Sequence, residues 1–161
     1  GHKAPDLSGI AGIPEYVALN SPSPVLVLPP HRAFTDAFER VMVAWNASPE
    51  AARAARLALP MLTRAKQVAL AIFDEESSSV RSPEDATEMA LFLARHGVTV
   101  EVSRHHPRGD VGNALLVLAE DRKIDLLVMG CYGHSRYREI LLGGVSRTVL
   151  RRLSMPVLLA H

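Results

Sequence analysis

The chain has 161 residues, 48% of them hydrophobic and 22% charged, with eighteen Lys and Arg against seventeen Asp and Glu. That length holds one domain-sized core without disulfide staples, and a net charge of +1 excludes a general nucleic-acid binder, which needs a basic stripe, and an anionic-membrane surface binder. No apolar run reaches the roughly 18–20 residues of a membrane span, and one Cys with no visible secretory leader pattern points to a reduced, cytoplasmic setting.

In chain order, Gly12 to Val17 reads as a short glycine-started helix. Pro22, Pro24, Pro29 and Pro30 then bracket Val25-Leu26-Val27-Leu28. A short apolar run fenced by prolines suits an edge strand, because Pro donates nothing to a central ladder. His31 to Glu39 is a polar connector. Arg40 to Trp45 is a strand of buried type. Ser48-Pro49-Glu50 opens a helix: a hydroxyl N-cap, a proline in the first turn and an acid at the positive end. Ala51, Ala55, Ala58, Leu59 and Leu62 form its apolar stripe. Gln67 to Phe73 is a second strand. Ser82-Pro83-Glu84-Asp85 repeats the start signal, and that helix stops at Gly97. Val98 to Val102 is a strand, Asp110 to Asp121 a helix, Asp125 to Met129 a strand. Gly143 or Gly144 to Arg152 is a short helix and Pro156 to Ala160 the last strand.

From Arg40 onward this is β-α-β-α-β-α-β-α-β. Strands alternating with helices imply right-handed crossovers and an α/β fold, a five-stranded parallel doubly wound sheet with helices on both faces. The strands are continuous apolar runs, as a sheet covered on both sides requires. The two ends of the chain echo each other at an offset of 132: Gly12 to Val17 lies against Gly144 to Val149, and Pro24 to Val27 against Pro156 to Leu159. This divides the chain into residues 1–39, an N-terminal extension with edge strand 25–28 that reads as the remnant of a preceding repeat, and a domain over residues 40–161. Chance similarity of two helix-strand segments is the competing reading.

Four of the ten glycines fall at 130, 133, 143 and 144, directly after the strand of Asp125 to Met129. In a doubly wound sheet, ligands sit at the carboxyl ends of the strands where the winding reverses. Glycine lets backbone N–H groups approach a phosphate, and the helix that follows adds unpaired donors and partial positive charge. Ser146 adds a hydroxyl; His134, Arg136 and Arg138 add cations. The pattern is neither a Walker A loop nor a G-x-G-x-x-G fingerprint. The competing reading is a tight turn with a close helix contact.

Asp125-Leu126-Leu127-Val128-Met129-Gly130, the G-x₂-G-x₉-G spacing, the terminal Met155-Pro156-Val157-Leu158 and the opening Val41-Met42-Val43-Ala44-Trp45-Asn46-Ala47-Ser48 resemble the universal stress protein (UspA-like) family over residues 40–161. The resemblance, including that to tandem members, implies sheet order 3-2-1-4-5, an extra N-terminal edge strand, and binding of ATP or another adenine nucleotide, with or without Mg. It places Asn46 at the nucleoside, Ile72 near the adenine, Gly130, Gly133 and Gly143 in the ribose and phosphate loop, Ser146 on the phosphate side, and Ala44, Met129, Gly144 and Val145 among the nucleotide-binding residues. Two departures stand out. The family's nucleoside-contacting Asp is Asn46 here, and the Ser or Thr after the third glycine is Gly144.

Other residues carry less. Cys131, near a helix start, is either a low-pKa thiol or a small residue lining a turn. Trp45 either stacks on a base or fills the core. His105-His106 and Asp74-Glu75-Glu76 suit solvated loops better than metal sites. No catalytic triad can be assembled. The expected function is therefore a stress-response nucleotide-binding regulatory module. A dimerisation module with a vestigial pocket that holds no cofactor is the alternative, and a weak ATPase is a third reading. No nucleic acid or membrane partner is expected. Strands 25–28 and 156–160 are expected to pair antiparallel, within one chain or between the two chains of a homodimer.

Overall fold

The computed structural model describes residues 13–30, 37–73, 83–131 and 144–161. Its elements are α1 (Ile13–Asn20), β1 (Val25–Val27), β2 (Arg40–Trp45), α2 (Pro49–Leu57), α3 (Leu59–Leu62), β3 (Gln67–Phe73), α4 (Pro83–Arg95), β4 (Val100–His105), α5 (Val111–Asp121), β5 (Leu126–Gly130), α6 (Gly144–Arg151) and β6 (Val157–Ala160). The six strands form one sheet in the order β1-β6-β5-β2-β3-β4. Every neighbouring pair is parallel except β1 with β6. This is the expected doubly wound order with the N-terminal strand added at one edge, and β1 pairs with β6 within the same chain.

Alternation along each strand sorts the core into two layers. Val41, Val43, Trp45, Val68, Leu70, Ile72, Leu126 and Val128 face one side, where the buried residues of α2 to α4 cover them. Met42, Ala71, Leu127, Met129 and Leu159 face the other, under α5, α6 and Ala18 of α1. Both faces are therefore covered and the central strands must be apolar at nearly every position. Edge strand β4 is covered less well, alternating from Val100 to Ser103 and ending in the polar Arg104 and His105.

Local signals set the helix ends. The Ser48 hydroxyl accepts the Ala51 N–H at 3.1 Å, and Asp110 caps α5 through the Gly112 and Asn113 amides. At the end of α4, Gly97 has φ +79°, with Gly97 N–H bonded to Ala94 O and Val98 N–H to Leu93 O. That double bond is a Schellman closure. It ties Val98 into the helix end, which is why β4 starts at Val100 and not at the expected Val98. The same closure ends α5, where Ile124 N–H bonds to Ala119 O and Lys123 N–H to Glu120 O, with Lys123 at φ +54° in the glycine-favoured place.

Candidate functional site

The winding reverses between β2 and β5. From β2 the chain passes through α2 on one face to β3, and from β5 through α6 on the other face to β6. The carboxyl ends of these two strands are where a doubly wound sheet places its ligand crevice. Each crossover helix runs back against its parallel strands, so α2 and α6 both start at this end.

Asn46 leaves β2 there and is exposed. Its side-chain oxygen accepts the Ser48 N–H at 3.1 Å and the Ser48 hydroxyl at 2.6 Å. Together with the Ser48 bond to Ala51, this chain of hydrogen bonds turns β2 into α2. Ala47, between them, has φ +54°, a backbone state that costs a residue bearing a Cβ about 1–2 kcal/mol. Asn46 therefore shapes the turn as well as facing the crevice. Among the described residues none takes a hydrogen bond from its amide nitrogen, so the crevice meets a donor.

Gly130 ends β5 on the face covered by α2. A Cβ built there would lie 2.5 Å from the Ala51 nitrogen and 2.7 Å from the Glu50 carbonyl carbon. The glycine at this position thus lets the start of α2 touch β5, the close-contact alternative weighed above. Both backbone groups of Cys131 are also committed: its N–H bonds to Ala160 O at 2.9 Å, and its carbonyl accepts from His161 Nδ1 at 3.1 Å. Arg53 adds a bond to the His161 carbonyl at 2.7 Å. These bonds lock the ends of β5 and β6, and leave the Cys131 amide unavailable to a phosphate.

Gly144, Val145 and Ser146 form the first turn of α6. Among the described residues nothing lies within 4 Å of a Cβ built on Gly144, while Ser146 is buried. Ala44 and Met129 lie side by side in register, in the same apolar layer as Val145. Ile72 is buried between Trp45 and Arg104 on its two neighbouring strands, so its side chain belongs to the core. Trp45 is also a core residue, on the α2 side. Gly133, Gly143, His134, Arg136, Arg138 and Asp74-Glu75-Glu76 lie outside the described residues. The structure thus brings together Ala44, Asn46, Met129 and the start of α6 at one end of the sheet.

A sequence model of the Universal stress protein family matches residues 37–161. The chain belongs to the universal stress protein family. It is 46% identical over 50 residues to Universal stress protein Slr1230 of Synechocystis, a stretch that is 31% of this chain and 17% of that protein. The chain therefore spans well under two thirds of that relative. A universal stress protein solved in complex with cAMP superposes with a TM-score of 0.60 at 25% identity, over 78% of this chain and 99% of that one. A universal stress protein from Archaeoglobus fulgidus superposes with a TM-score of 0.67 at 24% identity, over 85% of this chain and 49% of that one.

Two further residues shape this universal stress protein's site. One carboxylate oxygen of Glu50 is buried with no hydrogen-bond partner among the described residues, in the first turn of α2 and against Gly130. Cys131 is fully buried, and desolvation, aided by the nearby Glu50 charge, pushes its thiol from 9.0 up to about 11. The thiol is therefore the inert, turn-lining alternative and not an activated one. Asp125, the first residue of the family-like motif, accepts the Glu39 and Arg40 amides at 2.8 and 3.0 Å and clamps β2 to β5 at the far end of the sheet. Its carboxylate is structural. The sequence hint was its position directly ahead of a buried strand.

Proposed function

We propose that this chain is a cytoplasmic regulatory module of the universal stress protein family that binds an adenine nucleotide in the β2/β5 crevice. The observation carrying this reading is the exposed Asn46, at the sheet end where α6 starts. A related protein of matching fold is known in complex with cAMP, which supports the ligand class. In this reading the Asn46 amide meets the ribose. The α6 start, with Gly144 and Val145 N–H groups and the Ser146 hydroxyl, meets phosphate oxygens together with the loop carrying Gly133 and Gly143. Gly130 contributes by keeping β5 and α2 in contact.

Among the described residues no group of three His, Cys, Asp or Glu is placed to hold a metal ion. The test is a calorimetric titration of the purified chain with ATP and with cAMP. Saturable one-site binding supports the reading. No heat at millimolar nucleotide returns the pocket to the vestigial, interaction-module alternative, which the engaged Cys131 backbone and the half-buried Glu50 favour.

A further inference from the structure

α5 and α6 meet at the sheet end that carries the candidate site. α5 follows β4 and α6 follows β5, and both run back over the same face of the sheet, so they start at the same end. Their contact is built on the first turn of α5. Gly112 leaves room there for Thr148 of α6. A Cβ on Gly112 would lie 2.7 Å from the Thr148 Cβ and 3.0 Å from its Cγ2. The missing side chain thus sets how closely the two helices approach.

Hydrogen bonds from the same turn fix the pair along their length. Asp110 Oδ1 accepts the Gly112 N–H at 2.6 Å and the Asn113 N–H at 3.2 Å, the ordinary work of an N-cap. Asp110 Oδ2 accepts the Thr148 hydroxyl at 3.1 Å. A cap satisfied by one oxygen therefore uses the other to hold the neighbouring helix. One turn further along, Arg152 Nη1 donates to Asn113 Oδ1 at 2.7 Å. Thr148 and Arg152 are four residues apart, and the Arg152 N–H still bonds to Thr148 O, so both side chains lie on one helical face and both reach the first turn of α5.

α6 has eight residues, short of the ~12–15 at which an isolated helix becomes marginal, so its neighbours place it. Its Val149 is fully buried in the layer beneath. Apolar packing of that kind is non-directional, and the hydroxyl bond to Asp110 supplies the direction. We propose that Asp110 and Thr148 are positioning residues: their bond fixes where the first turn of α6 stands at the end of β5, and with it the affinity for the phosphate part of a nucleotide. This rests on the reading of α6 as the phosphate-side helix. Asp110 and Thr148 act through Gly144, Val145 and Ser146, in the turn ahead of Thr148, and touch no part of the ligand themselves.

The experiment titrates ATP calorimetrically into the wild-type chain and the Thr148→Val and Thr148→Ser variants, and measures ¹⁵N order parameters of each free protein. Valine keeps the shape beside Gly112 at nearly equal helix propensity and removes the hydroxyl; serine keeps the hydroxyl. Thr148→Val is expected to raise the ATP dissociation constant roughly threefold to tenfold, the factor that one lost hydrogen bond commands, and to lower the order parameters of Val145 and Ser146. Thr148→Ser is expected to stay within about twofold of wild type in affinity and to keep those order parameters. A bond that served stability alone would lower the melting temperature and leave the affinity of the folded chain unchanged. Wild-type affinity in Thr148→Val overturns the proposal, as does equal weakening in Thr148→Ser. If the wild-type chain binds no ATP, the reading of the crevice fails and the positioning is judged on the free chain: lowered order parameters at Val145 and Ser146 in Thr148→Val alone support it, and unchanged ones overturn it.

Discussion

The side-chain oxygen of Asn46 accepts the Ser48 hydroxyl at 2.6 Å, and this bond decides which end of the amide faces the crevice. A carboxylate here can cap the turn with one oxygen and still offer an acceptor to ribose hydroxyls. Asn46 spends its one oxygen on Ser48 and offers N–H. A donor tolerates a phosphate-ester oxygen at the ribose; a carboxylate repels it. Asn46→Asp is therefore expected to raise the ratio of the cAMP to the ATP dissociation constant, with folding stability kept by the retained cap. Asn46→Ala loses the bonds to Ser48 and about 1 kcal/mol of stability. Calorimetric titration and urea denaturation of the variants check both.

Gly130 supports the fold whether or not a nucleotide is present. With the Ala51 nitrogen 2.5 Å from an added Cβ, Gly130→Ala must push α2 off β5. The expected cost is about 1–3 kcal/mol, the range for overpacking a filled interior, and it is the same with and without nucleotide. Gly144→Ala meets no neighbour among the described residues and is expected to leave the denaturation midpoint of the free chain nearly unchanged. Equal losses for the two variants would contradict this assignment.

Ala47 sits at φ +54°, where glycine fits without strain. Ala47→Gly is expected to stabilise the chain by roughly 1 kcal/mol, the left-handed penalty less the extra entropy of glycine in the unfolded chain. A lower melting temperature in calorimetry would contradict it.

The Cys131 thiol, raised from 9.0 to about 11 in the folded chain, keeps its proton longer when folded than when unfolded. Its contribution to stability is complete below pH 9 and is lost as pH rises through about 11. At pH 8 a maleimide is expected to label Cys131 only as fast as the chain opens. Rapid labelling of the folded protein would place the thiol at the surface.

Much of the fold is legible because its signals are local. Ser48-Pro49-Glu50 and Asp110 announce helix starts, and the runs at Arg40–Trp45 and Gln67–Phe73 coincide with β2 and β3, where burial on both faces leaves no polar gap to confuse the period. Boundaries slip where backbone bonds between neighbours decide. Val98 reads as strand by its side chain, yet its N–H closes α4. The site is legible in position more than in role. The glycine after a buried strand suggests a phosphate cradle, but whether Gly130 serves a ligand or a helix depends on how close α2 lies, and no spacing in the sequence reports that. The buried carboxylate oxygen of Glu50 is likewise invisible, since an acid in a first helical turn is the ordinary choice.

The most direct measurement is an amide NMR spectrum of the ¹⁵N-labelled chain titrated with ATP and with cAMP. The account predicts saturable shifts at Asn46, Ala47, Gly144, Val145 and Ser146, and none at Gln67 or Thr99 at the opposite end of the sheet. Shifts confined to that opposite end, or no shifts at millimolar nucleotide, would contradict it.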